Sequence, residues 1–134
     1  MKVVDTSVVV GALTLADESA RAECEKALRS SRAPIAHVLL ETYSVLTRLP
    51  APLRMTGLQA GTFLSQAFSK APLTISSNDN REFLQILVSE RIVGGSTYDA
   101  LIAFTAVRHS AQLITRDRRA AAIHAAVGAS VAYI

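Results

Sequence analysis

From Thr97 to Gln112 the chain is apolar on nearly every side: Ala100, Leu101, Ile102, Ala103, Phe104, Ala106 and Val107 leave no wet face wide enough for a surface helix. A helix of that kind has to be covered on both flanks, so the stretch predicts a helix packed between a sheet and other helices. Leu113, Ile114 and Thr115 follow as a short aliphatic and β-branched run, long enough for an inner strand, and Arg116 and Asp117 come where such a strand would end. Gly94 to Asp117 thereby delivers two carboxylates at element termini: Asp99 in the first helical turn and Asp117 just past the strand.

The rest of the chain alternates in the same way. Lys2 to Val4 reads as a buried strand ending at Asp5, with Thr6 and Ser7 placed to cap a helix over Val8 to Leu15. Asp17 to Arg29 reads as a second helix and Ala33 to Ala36 as a second strand, where Pro34 is tolerable only at the start or on an edge. Val38 to Leu49 has helical period with Glu41 in its first turn, and Pro50 and Pro52 stop it. Thr56-x-x-Gln59 opens a further helix as a capping box, Pro72 to Ser76 reads as a third strand, and Asn78 or Asp79 caps a helix to about Ile92. After Asp117 an alanine-rich helix from Arg118 to Ala126 is closed by Gly128, and Ser130 to Ile134 reads as a last strand. Strands alternating with helices predict an α/β fold in three α/β/α layers, with a mainly parallel central sheet of four to five strands and one domain over residues 1–134.

Half of the residues are apolar and 19% are charged, which excludes a disordered or fibrous chain. The single cysteine, Cys24, excludes an internal disulfide and a cysteine-rich zinc site, and a reducing cytoplasm is the expected compartment. Val8 to Leu15 lacks the basic leader of a secretory signal, and no stretch is long enough to span a membrane. A net charge of +3 is compatible with a polyanionic partner.

Considered singly, the acids have ordinary explanations. Ser96-x-x-Asp99 is a capping-box pattern, and Asp117 stands where an N-cap would open the last helix. Their arrangement says more. In a parallel sheet, sites form outside the carboxyl ends of the strands. Asp5 and Asp117 follow strands, and Glu41 and Asp99 lie at helix starts facing the same edge, so four carboxylates can converge. Like charges gathered in this way need a cation. Hard oxygen donors select magnesium or manganese over zinc, and such an ion activates a water for phosphodiester hydrolysis. Ser7 and Thr115 are placed to support the acids by hydrogen bonding.

Four short motifs carry a likeness. Val3-Val4-Asp5-Thr6-Ser7, Leu40-Glu41-Thr42-Tyr43, Thr97-Tyr98-Asp99-Ala100 and Thr115-Arg116-Asp117 resemble, in order and spacing, the PIN-domain ribonucleases, above all the VapC toxins of bacterial toxin–antitoxin pairs. The resemblance spans the whole chain. It implies a magnesium- or manganese-dependent endoribonuclease with Asp5, Glu41, Asp99 and Asp117 as catalytic and metal-binding acids, a homodimer, and a VapB-like antitoxin whose tail occupies the active-site groove. Asp117-Arg118-Arg119-Ala120-Ala121 departs from relatives that carry an aromatic shortly after the acid, which leaves the packing of the last helix open.

Arg116, Arg118 and Arg119 flank the expected site and are candidates to hold RNA phosphates, set against the reading of a solvated helix start. Arg48 and Arg54 carry less signal. His37 can face Glu41 across a helix turn or serve as a surface residue, while His109 and His124 show no ligand spacing. Two other functions compete. A haloacid-dehalogenase-like phosphotransfer enzyme wants a second Asp two residues after the first, where this chain has Ser7. A non-catalytic α/β binding module would use its dimer surface to hold a protein partner.

Overall fold

The computed structural model describes all 134 residues. Its elements are β1 (Lys2–Val4), α1 (Thr6–Thr14), α2 (Glu18–Ser30), α3 (Ala36–Thr47), α4 (Gly57–Ala67), α5 (Ser77–Ser89), α6 (Ser96–Arg108), β2 (Gln112–Thr115), a 3-10 turn (Arg118–Ala120), α7 (Ala121–Val127) and β3 (Val131–Tyr133). The sheet runs β1-β2-β3 and is wholly parallel, with Val4 opposite Ile114 and Ile114 opposite Ala132. Neighbouring residues Val3 and Val4, like Leu113, Ile114 and Thr115, are all buried. Successive strand side chains point to opposite faces, so helices cover both sides, and the three-layer expectation holds.

Three strands replace the four to five expected. Ala33 to Ala36 and Pro72 to Ser76 meet only in an isolated parallel bridge between Ile35 and Leu73. Two bonds hold it, from the Leu73 amide to the Pro34 carbonyl at 2.7 Å and from the Ala36 amide to the Leu73 carbonyl at 2.9 Å. Pro34 and Pro72 have no amide to donate, and Ala36 already begins α3, so the ladder has no room to lengthen.

α6 is the buried helix its composition demands, with Ala100, Ile102, Ala103, Phe104, Thr105 and Ala106 all enclosed. The main core joins Ile102 and Ala106 to Val3, Val4, Val8, Val9, Leu113 and Ile114. A smaller cluster of Phe83, Ile92, Ala100 and Phe104 fixes α5 against α6. Arg108 reinforces that contact by pairing with Asp79 at 3.0 Å and with Glu82. No helix is long and apolar enough to cross a membrane.

Several helix ends differ from expectation. Asp5, rather than Thr6 or Ser7, caps α1, and Ser76 with Asp79 forms the capping box of α5 where Asn78 or Asp79 was expected to be the cap. The box at Thr56 and Gln59 and the left-handed Gly128 after α7 are as predicted. α7 is preceded by a 3-10 turn because the residues after Asp117 first satisfy its carboxylate.

Candidate active site

β1 and β2 are parallel neighbours, so Asp5 and Asp117 emerge on the same edge of the sheet. Asp5 is only 9% exposed. Its Oδ1 accepts from Ser7 Oγ at 2.6 Å and from the Val8 amide at 3.2 Å, while Oδ2 accepts from the Thr115 hydroxyl. Each hydroxyl is used twice, since Ser7 Oγ also accepts from the Arg116 amide at 2.9 Å and Thr115 Oγ1 from the Asp117 amide at 2.9 Å. With both hydrogens committed to Asp5, the 3.4 Å approach of the two hydroxyls is packing rather than a bond. Burial pushes the Asp5 carboxyl above the usual range, and the Ser7, Thr115 and Val8 bonds pull it back. The network therefore locks an acceptor-only carboxylate in a fixed direction.

Asp99 differs in kind. Gly95 occupies the N-cap of α6 in helical conformation and no side chain caps the helix, so the Ser96–Asp99 capping box read from the sequence does not form. The two glycines let the chain enter α6 without a polar cap. Asp99 has no hydrogen bond or ion pair from the protein. Burial, followed by repulsion from Asp117 and Glu41 and least from Asp5, raises its carboxyl above the ordinary value, with His124 opposing.

Glu41 projects from the second turn of α3, where His37 Nε2 donates to its Oε2 at 3.1 Å. His37 in turn stacks on Tyr98, with ring centroids 5.1 Å apart and planes 4° from parallel. Asp117 is both cap and ion-pair partner. Its Oδ1 accepts from the amide and the Nε of Arg119, each at 3.1 Å, and Oδ2 accepts from Arg119 Nη2 at 3.3 Å. That guanidinium bond is the main reason the Asp117 carboxyl lies below the usual range.

All four carboxylates, with Ser7 and Arg119, line one cavity of about 280 Å³. Val10, Val45 and Ile102 supply its apolar part. The acids share this cavity, yet no three of the chain's His, Cys, Asp or Glu side chains converge closely enough to hold one ion directly. Asp5 and Asp117 have both oxygens engaged by protein donors, whereas Asp99 has neither. Carboxylates that line one cavity without three of them closing on a point suit an ion that keeps most of its waters.

The arginines divide. Arg119 reaches the cavity, Arg118 lies over the Tyr133 ring with its guanidinium 5.3 Å from the centroid, and Arg116 packs its stem beside Gly11. His124 is buried against β3, hydrogen-bonded through Nδ1 to Tyr133 Oη at 2.9 Å. Burial lowers its pKa, while Asp5, Asp99 and Asp117 pull the other way. The His124–Tyr133 contact, with Ala120 buried, anchors the last helix without the missing aromatic. In the sequence His124 shows no ligand spacing, and Tyr98 stands only as a member of the Thr97-Tyr98-Asp99-Ala100 motif. His37 had the i,i+4 spacing to Glu41, and the structure realises it.

The PIN domain family matches residues 2–126. The chain belongs to the PIN-domain family. This PIN domain is 39% identical over 128 residues to Ribonuclease VapC27 of Mycobacterium tuberculosis, covering 96% of this chain and 93% of that protein. It is 40% identical over 116 residues to Ribonuclease VapC40 of the same species, covering 87% and 86%. The VapC-type resemblance of the four motifs is therefore upheld, and a haloacid-dehalogenase ancestry is not.

Proposed function

We propose that this chain, acting as one PIN domain, is a metal-dependent endoribonuclease and the toxin of a toxin–antitoxin pair. The observation that carries the reading is the set of four carboxylates at the carboxyl edge of a parallel sheet, around one cavity, in a chain akin over nearly its whole length to proteins called ribonucleases. The donor set suits magnesium or manganese: hard oxygens only, one carboxylate wholly unpartnered, and others able to act through water. Such an ion, when bound, lowers the pKa of a water and neutralises charge on the scissile phosphate.

The chain's own residues prepare that chemistry. Ser7 and Thr115 aim Asp5, His37 steadies Glu41, and Asp99 stands free with its charge disfavoured until a cation arrives. Arg119 holds Asp117 and can exchange that partner for a substrate phosphate, a contact that positions the backbone without reading sequence. Arg116 and Arg118 serve as framework, so RNA phosphate contacts are assigned to Arg119 before either of them. A VapB-like antitoxin that fills the cavity and a homodimer complete the reading.

The test is cleavage of single-stranded and stem-loop RNA with Mg2+ or Mn2+, with chelator, and by Asp5→Asn and Asp99→Asn variants verified as folded. Metal-dependent cleavage that both variants lose supports the site. Cleavage retained in both would remove it, and no cleavage of any RNA would favour a non-catalytic protein-binding module.

A further inference from the structure

Tyr98 immediately precedes the free carboxylate of Asp99, yet the residue is 54% exposed. The ring is not loose. One face lies parallel to the His37 imidazole, which is tied to Glu41, so two carboxylates of the cavity flank a rigid pair of stacked rings. Burial of apolar surface does not account for a tyrosine left half in water. His37 also forms part of the wall of a second cavity of about 190 Å³, with Ile35, Leu73, Ile75 and Leu101 as its apolar lining. The stacked pair thus adjoins the apolar recess through His37 and the acidic cavity through Glu41, to which His37 is bonded, and through Asp99, the residue after Tyr98.

We infer that Tyr98 is a stacking platform for an unpaired nucleobase of the RNA, next to the phosphate held at the carboxylates. The inference rests on the ribonuclease reading and adds the contact that selects single-stranded substrate. Every base has a π face, so an open aromatic ring backed by a second ring binds bases with little regard to sequence. A base in a duplex is stacked on its neighbours and cannot reach the ring, whereas one in a loop or single strand can. The ring costs little to order on binding, because His37 already holds it.

The experiment measures binding of single-stranded RNA oligonucleotides in chelator, each with 2-aminopurine at one position, to the wild-type chain, Tyr98→Phe and Tyr98→Leu. Stacking predicts quenching at one nucleotide for wild type and Tyr98→Phe. It also predicts loss of that quenching in Tyr98→Leu, with binding about tenfold to a hundredfold weaker. Removing the base at the quenched position should weaken wild-type binding and leave Tyr98→Leu unchanged, a non-additivity that a merely structural role for the tyrosine would not produce. Quenching and affinity unaltered in Tyr98→Leu would overturn the platform, as would equal losses on intact and abasic RNA. If Tyr98→Leu cleaves RNA with Mn2+ at unchanged KM, the platform alone fails. If the wild-type chain neither binds nor cleaves RNA, the ribonuclease reading fails with it.

Discussion

Asp99→Asn should inactivate the protein and make it more stable. The Asp99 carboxylate is half-buried, has no donor from the protein, and faces the charges of Asp117, Glu41 and Asp5. Each like-charge contact, discounted for solvent screening, contributes a few tenths of a kcal/mol, and partial burial adds to them, for about 1 kcal/mol in all. For a domain of this size that is roughly 3 to 5 °C in Tm. The alternative has the opposite sign, because a carboxylate that capped α6 would take about 1 kcal/mol with it when neutralised. Thermal unfolding followed by circular dichroism in chelator at neutral pH separates the two.

Two controls sharpen the result. High salt should shrink the gain, since screening weakens the repulsion that Asn removes. Acid should erase it. The folded-state pKa of Asp99 lies above the ordinary carboxyl value of 3.8, so the stability linked to its protonation is complete below that value and is lost as pH rises through the raised one. The advantage of Asn is thus largest at neutral pH, shrinks as pH falls through the raised pKa and is gone only below 3.8. A lower Tm for Asp99→Asn at neutral pH would refute this account and restore Asp99 to a structural role.

Thr115→Val keeps the shape of a fully buried residue but removes its bonds with Asp5 and with the Asp117 amide. Urea denaturation should show a loss of about 2 to 3 kcal/mol, and a loss below half of one would mean that the network contributes little. Arg119→Ala frees both Asp117 oxygens from a competing cation, so calorimetric titration should find Mn2+ bound several-fold more tightly; weaker binding would instead make Arg119 the residue that aims Asp117. The Cys24 thiol is enclosed and its pKa is raised chiefly by burial, so Ellman's reagent should react with it only as the chain unfolds, and prompt labelling of native protein would contradict its packing.

The sequence alone determined the layering and the ring of acids. A helix apolar all round, such as α6, has to lie inside, and a strand with three consecutive buried residues, such as Leu113 to Thr115, has to be covered on both faces. From that alternation alone Asp5, Glu41, Asp99 and Asp117 fall on one edge of the sheet. Periodicity reads local burial, and local burial is what fixed these elements. Strand pairing is not local, which is why Ala33 to Ala36 and Pro72 to Ser76 looked like strands and form one bridge.

Tertiary structure decided the partner of each acid. Ser7 and Thr115 are 108 residues apart, and only the β1–β2 pairing brings both hydroxyls to Asp5. Tyr98 meets His37 only because α6 packs on α3, and His124 meets Tyr133 only because α7 closes onto β3. The sequence offered Asp99 and Asp117 the same reading as helix caps. Asp117 became a cap held by Arg119, while Asp99 was left without a partner. A four-residue pattern can propose a cap, but whether it closes depends on the backbone conformation at Gly95, which is set by how α6 enters the core.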